Sequence, residues 1–372
     1  MKKIILTLGL IVGLSACTKK SENEIRVGHF GSMTGSDATF GTSTDEGIRL
    51  AFDEKNAAGG IKGKKLKLIT MDNQGKAEEA AAVVTRLIDQ EKVVALLGEV
   101  ASGRSLAAAP IAQAKKIPMV SPSSTNPKVT EVGDYIFRTC FIDPFQGTVM
   151  AKYAFENLKL KKIAILRELS SDYSMGLADY FTKTYKELGG EIVADLNYQN
   201  QDMDFKAQLT QIKSKTAEGL FIPGYYTQVG LIARQARELG IKVPMMGGDG
   251  WDSPKLSEIG KDAVNGAYFS NHYSTESTAP AAIEFMTKFK AKYNKSPDGL
   301  SAAGYDAALV LLKAMESSDL TSTSIRNELA KIKNFEGATG NITIDEKRNA
   351  TKSAVVVKVD GVNNKYITTI NP

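Results

Sequence analysis

The sequence alternates between strand-like and helix-like segments, and it does so in two successive series. The first series runs from Ile25 to Ser121 and the second from Ile163 to Gly247. Short apolar runs followed by amphipathic stretches are typical of parallel strands joined by helical crossovers, because parallel neighbours need a long connection. We therefore predict an α/β fold with two doubly wound parallel sheets, one in each of two lobes. The length of 372 residues also favours two domains.

Segments outside the two series predict how the lobes are joined. Residues 135–146 and 267–273 each have the pattern of a strand that crosses from one lobe to the other. The remaining helical and strand-rich patterns lie at 280–293, 301–316, 322–332 and 341–370.

Residues 1–16 have the pattern of an export signal. Two lysines precede an apolar run that is too short to span a bilayer. The run ends in Leu-Ser-Ala directly before Cys17, which resembles the lipobox of bacterial lipoproteins. We predict cleavage before Cys17, lipidation of its thiol and a polar tether over residues 17–24. An ordinary secretory peptide is the alternative.

Composition excludes several functional classes. The net charge of +5 falls to +3 (5 minus 2) when Lys2 and Lys3 are removed with the signal. The remaining basic residues are scattered along the sequence and do not form clusters, so no nucleic-acid partner is predicted. His29 and His272 stand apart from other metal-ligand residues, which favours structural roles and no metal or cofactor. A lone Cys140 is predicted to be a small buried hydrophobe. No catalytic motif is present, so we do not expect an enzyme.

An apolar run that stops at Gly98 and is followed by a small-residue turn predicts an anion site. Free backbone N–H groups at the start of the next helix, together with the hydroxyl of Ser102, can hold a negative group. The spacing Gly98 to Gly103 almost matches a nucleotide-binding P-loop, but Arg104 stands where that motif needs lysine. A smaller anion, such as a carboxylate, is the better match.

A second hydroxyl-rich turn follows the next strand, at residues 121–127. It contains Ser123, Ser124 and Thr125. Adjacent strand ends of a doubly wound sheet open onto one crevice. The two turns are therefore predicted to line one pocket, although each by itself could be ordinary turn chemistry.

The second lobe offers a contrasting set of side chains after its strands. Tyr173, Tyr225 and Trp251 are aromatic residues near strand ends, where they suit a wall that faces a ligand. Asp249 is flanked by glycines and could pair with an ammonium group. Anion donors on one lobe and a carboxylate on the other together predict an α-amino acid held between the lobes.

Six segments give the chain a clear resemblance to the branched-chain amino acid (Leu/Ile/Val) binding proteins. This family comprises the solute receptors of ABC importers, with the type I periplasmic binding protein fold. The segments that carry the resemblance are 25–35, 56–66, 121–127, 137–147, 247–254 and 304–307.

The resemblance implies roles for particular residues. Positions matching Ser102, Ser123, Ser124 and Thr125 hold the ligand carboxylate, and the acid matching Asp249 meets its amino group. Tyrosines like Tyr173 and Tyr225 close over the ligand, and Phe40 falls where the family has an aromatic residue against its side chain. The chain departs from some relatives at two places: it has Ser123 and Ser124 in the second turn, and it has an Asp instead of a Glu at position 249. These differences leave open an amide, urea or another small carboxylate as the ligand.

The resemblance also implies an organisation and partners. Three crossings near residues 142, 272 and 332 would give a first lobe of 25–142 with 273–331, and a second of 143–272 with 332–372. The expected protein is an exported monomer in the periplasm or at the cell surface, attached to the membrane only through Cys17. It would deliver an amino acid to an ABC permease of the branched-chain type, and a sensing receptor without transport is the alternative.

Overall fold

The computed structural model of the chain describes residues 23–372. Its fifteen strands are β1 (Glu24–Gly31), β2 (Lys65–Asp72), β3 (Ala95–Leu97), β4 (Met119–Ser121), β5 (Ile136–Arg138), β6 (Lys162–Glu168), β7 (Glu191–Tyr198), β8 (Gly219–Phe221), β9 (Met245–Gly247), β10 (Tyr268–Asn271), β11 (Phe335–Gly337), β12 (Gly340–Ile344), β13 (Ala350–Thr351), β14 (Ala354–Asp360) and β15 (Asn363–Ile370). Its twelve α-helices are α1 (Ala38–Ala57), α2 (Ala77–Asp89), α3 (Ser102–Ala114), α4 (Lys128–Glu131), α5 (Asp143–Lys152), α6 (Asp172–Glu187), α7 (Lys206–Lys213), α8 (Tyr226–Glu238), α9 (Pro254–Gly260), α10 (Pro280–Tyr293), α11 (Gly299–Ser317) and α12 (Ser322–Leu329).

The first lobe is built on a five-stranded sheet in the order β2-β1-β3-β4-β5, and every pair of neighbours is parallel. Apolar side chains of α1 and α11, such as Ile48 and Val310, form a core on one face. Side chains of α2 and α3, such as Val83 and Ala108, form a core on the other. Because helices cover both faces, the inner strands β3 and β4 are apolar apart from Ser121, as expected for a parallel sheet, whereas the edge strand β2 carries two lysines.

The second lobe is built on a seven-stranded sheet in the order β15-β14-β10-β9-β8-β6-β7. Strands β6 to β10 pair in parallel, whereas β14 and β15 add an antiparallel hairpin at one edge. Asp360-Gly361 is a sequence pair typical of a hairpin, and the chain turns at Gly361 and Val362 between β14 and β15. The predicted α/β class with two parallel-sheet lobes is confirmed.

The third crossing lies later in the chain than the sequence suggests. Strands β11, β12 and β13 form a small antiparallel sheet. Its buried residues Ile342, Ile344 and Ala350 belong to the same core cluster as Val27 of the first lobe. The chain therefore leaves the first lobe near Lys352 and not near residue 332, because these apolar side chains pack on the first core.

Two elements also differ from their predicted limits. The strand expected over residues 135–146 is short, since β5 ends at Arg138 and α5 begins at Asp143. Pro144 in the first turn of α5 explains the change, because proline is pre-organised for that position. The sequence from 44 to 57 has the pattern of a helix, and helix α1 begins earlier than that pattern, at Ala38.

The lobes contact each other across a cleft at the carboxyl ends of their strands. The hydroxyl oxygens of Thr39 and Ser253 lie 2.9 Å apart. Asn126 of the first lobe donates a side-chain hydrogen bond of 2.8 Å to the carbonyl of Asp172. These bonds define a closed arrangement of the two lobes.

The predicted signal peptide and Cys17 lie outside the described residues. Within residues 23–372, no helix is both long enough and apolar enough to cross a membrane.

Candidate functional site

The first side of the cleft is formed by the turn between β3 and α3. Gly98 has a φ of 123°, and a Cβ there would lie 2.2 Å from the carbonyl oxygen of Phe30, so only glycine allows this turn. Helix α3 then begins at Ser102, whose backbone N–H is in the first turn and has no carbonyl four residues back within the helix. Ser102 is buried and lines a cavity between the lobes. The turn therefore brings Ser102 to the cavity.

The second turn, residues 121–127, gives its three predicted hydroxyl groups different positions. Ser123 lines the cavity, whereas Ser124 does not. The Ser124 hydroxyl lies 2.7 Å from that of Ser105 and donates to the Glu99 carbonyl at 2.8 Å, so it joins the two turns. Thr125 is fully buried outside the lining, and its hydroxyl has no hydrogen-bond partner among the described residues.

A buried arginine holds the second turn from below. Arg138 is fully buried and donates to the carbonyl of Ser124 and, at 2.8 Å, to that of Asn126. No acidic side chain within residues 23–372 comes within 4.0 Å of its guanidinium nitrogens. The positive charge of Arg138 is therefore compensated by backbone carbonyls of the turn. The sequence carries Arg138 within the segment 137–147, but nothing in the pattern indicates this contact.

The second side of the cleft is centred on Asp249, which is 4% exposed. One carboxylate oxygen accepts a hydrogen bond from the Tyr173 hydroxyl at 2.9 Å. The other lies 3.1 Å from the Ser123 hydroxyl and 3.0 Å from Nε2 of His272. A carboxylate has about four acceptor positions, so these three contacts leave room for one more donor.

The backbone around Asp249 is held by polar side chains below it. The Asp249 N–H donates to Oε1 of Gln146 at 2.8 Å, and that oxygen also accepts from the Ser270 hydroxyl at 2.8 Å. The N–H of Gly250 donates to the Tyr173 hydroxyl at 3.1 Å. Burial raises the pKa of that hydroxyl well above its usual value, and the nearby Asp249 charge adds to the shift. Tyr173 therefore stays protonated and remains a donor.

Aromatic rings from both lobes form one wall. Tyr173 and Tyr225 stack with their ring centroids 5.3 Å apart and an interplanar angle of 5°. Phe40 of the first lobe meets Tyr225 edge-on at 5.3 Å and Tyr226 at 5.2 Å. Such edge-to-face and offset pairs favour association beyond the area they bury, so the rings help to hold the lobes together.

Trp251 does not lie at the cavity, contrary to prediction. Its indole N–H donates to the Ile222 carbonyl at 2.9 Å, and its ring packs under Gly247 and 6.0 Å from that of Phe269. Residues 249–251 form a single 3₁₀ turn. This turn directs Asp249 into the cleft and Trp251 into the core.

His272 is the site residue that sequence analysis missed. The predicted structural role holds for His29, whose Nδ1 lies 3.0 Å from Asp45 within the first lobe. His272, in contrast, contacts both Asp249 and Ser123 at 3.0 Å through Nε2. The only signal was its position after the second crossing strand, next to the cleft.

The cavity enclosed by these groups is small and is lined by side chains of both lobes. Six predicted residues line it together with Val100, Gly250 and Leu300. The six are Phe40, Ser102, Ser123, Tyr173, Tyr225 and Asp249.

The described residues offer no arrangement for metal binding, since no group of three metal-ligating side chains occurs within 23–372. Burial raises the pKa of the Cys140 thiol to about 12, so this cysteine is not a nucleophile at neutral pH. The cavity thus combines hydrogen-bond donors, one carboxylate and an apolar wall.

Comparisons with known proteins agree on one group of relatives. Residues 24–365 match the family described as periplasmic binding protein. The Leu/Ile/Val-binding protein homolog 3 of Brucella melitensis is 30% identical over 329 residues, which are 87% of this chain and 88% of that protein.

Two solved structures are similar over nearly the whole chain. A leucine binding protein of Thermotoga maritima is 42% identical with a TM-score of 0.90, covering 94% of this chain and 99% of its own. The branched-chain amino acid transporter substrate-binding protein LivJ of Streptococcus pneumoniae, in complex with isoleucine, is 36% identical with a TM-score of 0.90 and covers 94% and 100%.

Proposed function

This chain belongs to the periplasmic binding protein family, and we propose that it captures a branched-chain amino acid between its lobes and delivers it to an ABC importer. The observation that carries the proposal is the cavity between the lobes, which has Asp249 on one lobe and the Ser102 turn on the other. An α-amino acid is the smallest ligand that satisfies both. The relatives named for leucine, isoleucine and valine support the branched-chain class.

The ammonium group is proposed to bind at Asp249. The carboxylate has one acceptor position left, and the Ser123 oxygen lies 3.1 Å from it. Since the Ser123 proton is directed at Asp249, its oxygen is free to accept from an ammonium. This places Ser123 at the ammonium end, whereas the sequence-based assignment puts it at the carboxylate end.

The ligand carboxylate is proposed to bind at the first turn of α3. Ser102 lines the cavity at a helix N-terminus, where negative charge is favoured. Its hydroxyl oxygen accepts from the Asn126 N–H at 3.2 Å, which leaves the hydroxyl proton free to donate to the ligand. Thr125 on the second turn does not line the cavity, so it is given no contact with the ligand. Ser124 is left out of ligand binding, because its hydroxyl already joins the two turns.

The ligand side chain is proposed to contact Phe40, Val100 and Leu300. These three apolar residues line the same cavity as the polar groups. A branched aliphatic side chain would bury its surface there at a gain of roughly 25 cal/mol per Å². We propose that the chain carries the ligand unchanged, as a binding protein and not an enzyme.

Membership of the periplasmic binding protein family indicates an exported protein. We propose further that Cys17 is lipidated and anchors the chain to the membrane. Mass spectrometry of the mature N-terminus tests this, with Cys17→Ser as the comparison. A diacylated Cys17 supports the anchor, and an unmodified N-terminus elsewhere contradicts it.

The proposed division into lobes follows the packing of the core. The first lobe would contain residues 25–142 and 273–351, and the second 143–272 and 352–372. The allocation of 335–351 rests on the contacts of Ile342, Ile344 and Ala350 with the first core. Crossings near 142 and 272 stay as the sequence predicts them.

Calorimetric titration of the purified chain with leucine, isoleucine and valine tests the function. Replacing Asp249 by Ala is expected to weaken binding about 30-fold or more, because removing one partner of a buried charge pair costs roughly 2–5 kcal/mol. Glu238→Ala, which removes an exposed acid from the same lobe, is the control and should bind normally. Equal affinities of the two variants would contradict the assignment.

A further inference from the structure

His272 is held at the proposed ammonium site by contacts on several sides. Its side chain is fully buried, and Nε2 lies 3.0 Å from both the Asp249 carboxylate and the Ser123 hydroxyl. Its ring stacks on Phe141 with centroids 4.1 Å apart and an interplanar angle of 30°. The backbone N–H of His272 donates to Oδ1 of Asn271 at 2.7 Å. These contacts hold the imidazole ring of His272 in a single orientation.

These contacts fix the tautomer of the neutral ring. A bare Nε2 facing the Asp249 oxygen at 3.0 Å would place two lone pairs against each other. Nε2 therefore carries the proton and donates to Asp249, an assignment from the neighbouring groups. Nδ1 is buried and has no hydrogen-bond partner among the described residues, so it is the basic nitrogen.

The charged groups that face His272 act in opposite directions. Burial lowers the pKa of the imidazole, Asp249 raises it, and the buried ammonium of Lys352 lowers it. Lys352 lies between β13 and β14, donates to the Thr339 hydroxyl and is counterbalanced by Asp306. The net effect is a pKa below the usual value of His272, so the ring is neutral at neutral pH.

We propose that His272 is a positioning residue for the ammonium site and makes ligand binding sensitive to pH. The neutral ring aligns Asp249 through its Nε2–H, whereas a protonated ring competes with the ligand ammonium for the negative charge of Asp249. This inference rests on the proposed amino acid ligand. It adds a role for a residue that the function itself does not require.

The sign of the effect follows from linkage. A bound ammonium beside Asp249 disfavours a second cation there, so the bound form holds fewer protons than the free form. Affinity must then fall on acidification, by about tenfold per pH unit below the pKa of His272 in the free protein. The ligand itself keeps both charges between about pH 5 and about pH 7.

Calorimetric titration with leucine at about pH 5, 6 and 7 tests the proposal on three chains. In the wild type, affinity should fall towards pH 5. In His272→Gln, whose side-chain N–H can replace Nε2–H but does not titrate, affinity at pH 7 should be within about threefold of wild type and the profile should be flat. His29→Gln is the matched control, because His29 is the other histidine of the chain and contacts Asp45 in the first lobe. It should keep the wild-type profile.

Each outcome supports or overturns the inference. A His272→Gln profile as steep as that of the wild type overturns it, as does a flat wild-type profile. A wild type that binds no amino acid at any pH overturns the proposed function as well, which separates the two failures. If His272→Gln does not fold, NMR titration of the wild-type imidazoles decides. Leucine should lower the pKa of one histidine and leave the other unchanged, and no change in either contradicts the proposal.

Discussion

The serines of the two turns illustrate how neighbouring hydroxyl groups divide into ligand contacts and structural contacts. Ser102 faces the cavity at the start of α3. Ser124 belongs to the same pair of turns, but its hydroxyl bonds to Ser105 and to the carbonyls of Glu99 and Val100. Substitutions at the two positions should therefore affect different properties.

Replacing Ser102 by Ala should weaken ligand binding by about 10-fold to 150-fold, because a hydrogen bond to a charged group contributes roughly 1.5–3 kcal/mol. Its melting temperature without ligand should fall less than that of Ser124→Ala, because the Ser102 hydroxyl makes one contact within the protein, with the Asn126 N–H at 3.2 Å, whereas the Ser124 hydroxyl makes three. Ser124→Ala is the matched variant, and it should lower the melting temperature. The affinity of its folded form for the ligand should be closer to that of the wild type than the affinity of Ser102→Ala is. Calorimetry and thermal denaturation of both variants measure this. The reverse pattern would show that the hydroxyl roles are exchanged.

Asp143 provides a prediction about pH and stability. It is fully buried, one of its carboxylate oxygens has no partner among the described residues, and burial raises its pKa to about 7. Its contribution to stability is then fully present below an unfolded pKa of about 3.9 and is lost as pH rises through about 7.

Asp143→Asn removes this titration. The melting temperature of the variant, relative to that of the wild type, should therefore be higher at about pH 8 than at about pH 5. Thermal denaturation of both chains at the two pH values measures the difference. A gain that is the same at both values would contradict the assigned cause.

A side chain that directly follows a strand can be placed near the cleft from the sequence, because strand ends of a parallel sheet share one edge. Ser102 and Asp249 are examples, and both line the cavity. The prediction that Trp251 faces the ligand is wrong, because the 3₁₀ turn that directs Asp249 into the cleft places Trp251 in the core. His272 and Arg138 could not be found, because their contacts depend on tertiary packing and not on local spacing.

At the element scale, helix α11 shows how the two lobes fit together. Asp298 caps the helix through a capping box with Ser301. The N–H of Gly299 at the same end donates to Oδ2 of Asp252 on the second lobe at 2.6 Å. A Cβ at 299 would lie 2.5 Å from Oδ1 of Asn271 and 2.6 Å from Oδ2 of Asp252. The absence of a side chain at Gly299 thus permits the close approach of the lobes.

Gly299→Ala should therefore hinder closure and weaken ligand binding by about tenfold or more, since interlobe strain of this kind costs at least about 1.4 kcal/mol. Gly103→Ala is the control, because a Cβ there meets only Asp172 at 3.7 Å, an ordinary contact. Small-angle scattering and calorimetry of both variants provide the measurement. Equal affinity and equal dimensions for the two variants would contradict the role of Gly299.

Element types were more predictable than element limits. The alternation of strands and helices is visible as hydrophobic periodicity in the chain. The start of α5 at Asp143 depends on Pro144, and a proline beside an apolar run is compatible with the end of a strand as well as with the start of a helix.

At the scale of the whole molecule, the two lobes bury the ligand site only when they are together. Phe40 and Ser102 come from the first lobe, whereas Tyr225 and Asp249 come from the second. A ligand that contacts both lobes favours the closed arrangement, as in hinge closure of binding proteins. The two-lobe architecture was predictable from the alternation. The late third crossing was not, because strands β11 to β13 are amphipathic enough to pack on either core.

Ligand should stabilise the native chain by an amount that grows with the logarithm of its concentration above the Kd. A ligand bound only by the native state adds about 2.7 kcal/mol of stability at one hundred times its Kd. Branched-chain amino acids should therefore raise the melting temperature of the wild type and of Glu238→Ala, and should raise that of Asp249→Ala much less at the same ligand concentration. An equal rise in all three chains would mean that the ligand binds elsewhere.

The central claim is that one cavity holds both charged groups of an α-amino acid. Calorimetric titration with leucine, with isocaproate, which lacks the ammonium, and with isoamylamine, which lacks the carboxylate, tests it most directly. We predict binding of leucine at one molecule per chain, with each analogue weaker by about 30-fold or more, because each leaves one set of buried polar groups without a partner. An affinity for either analogue equal to that for leucine would contradict the account.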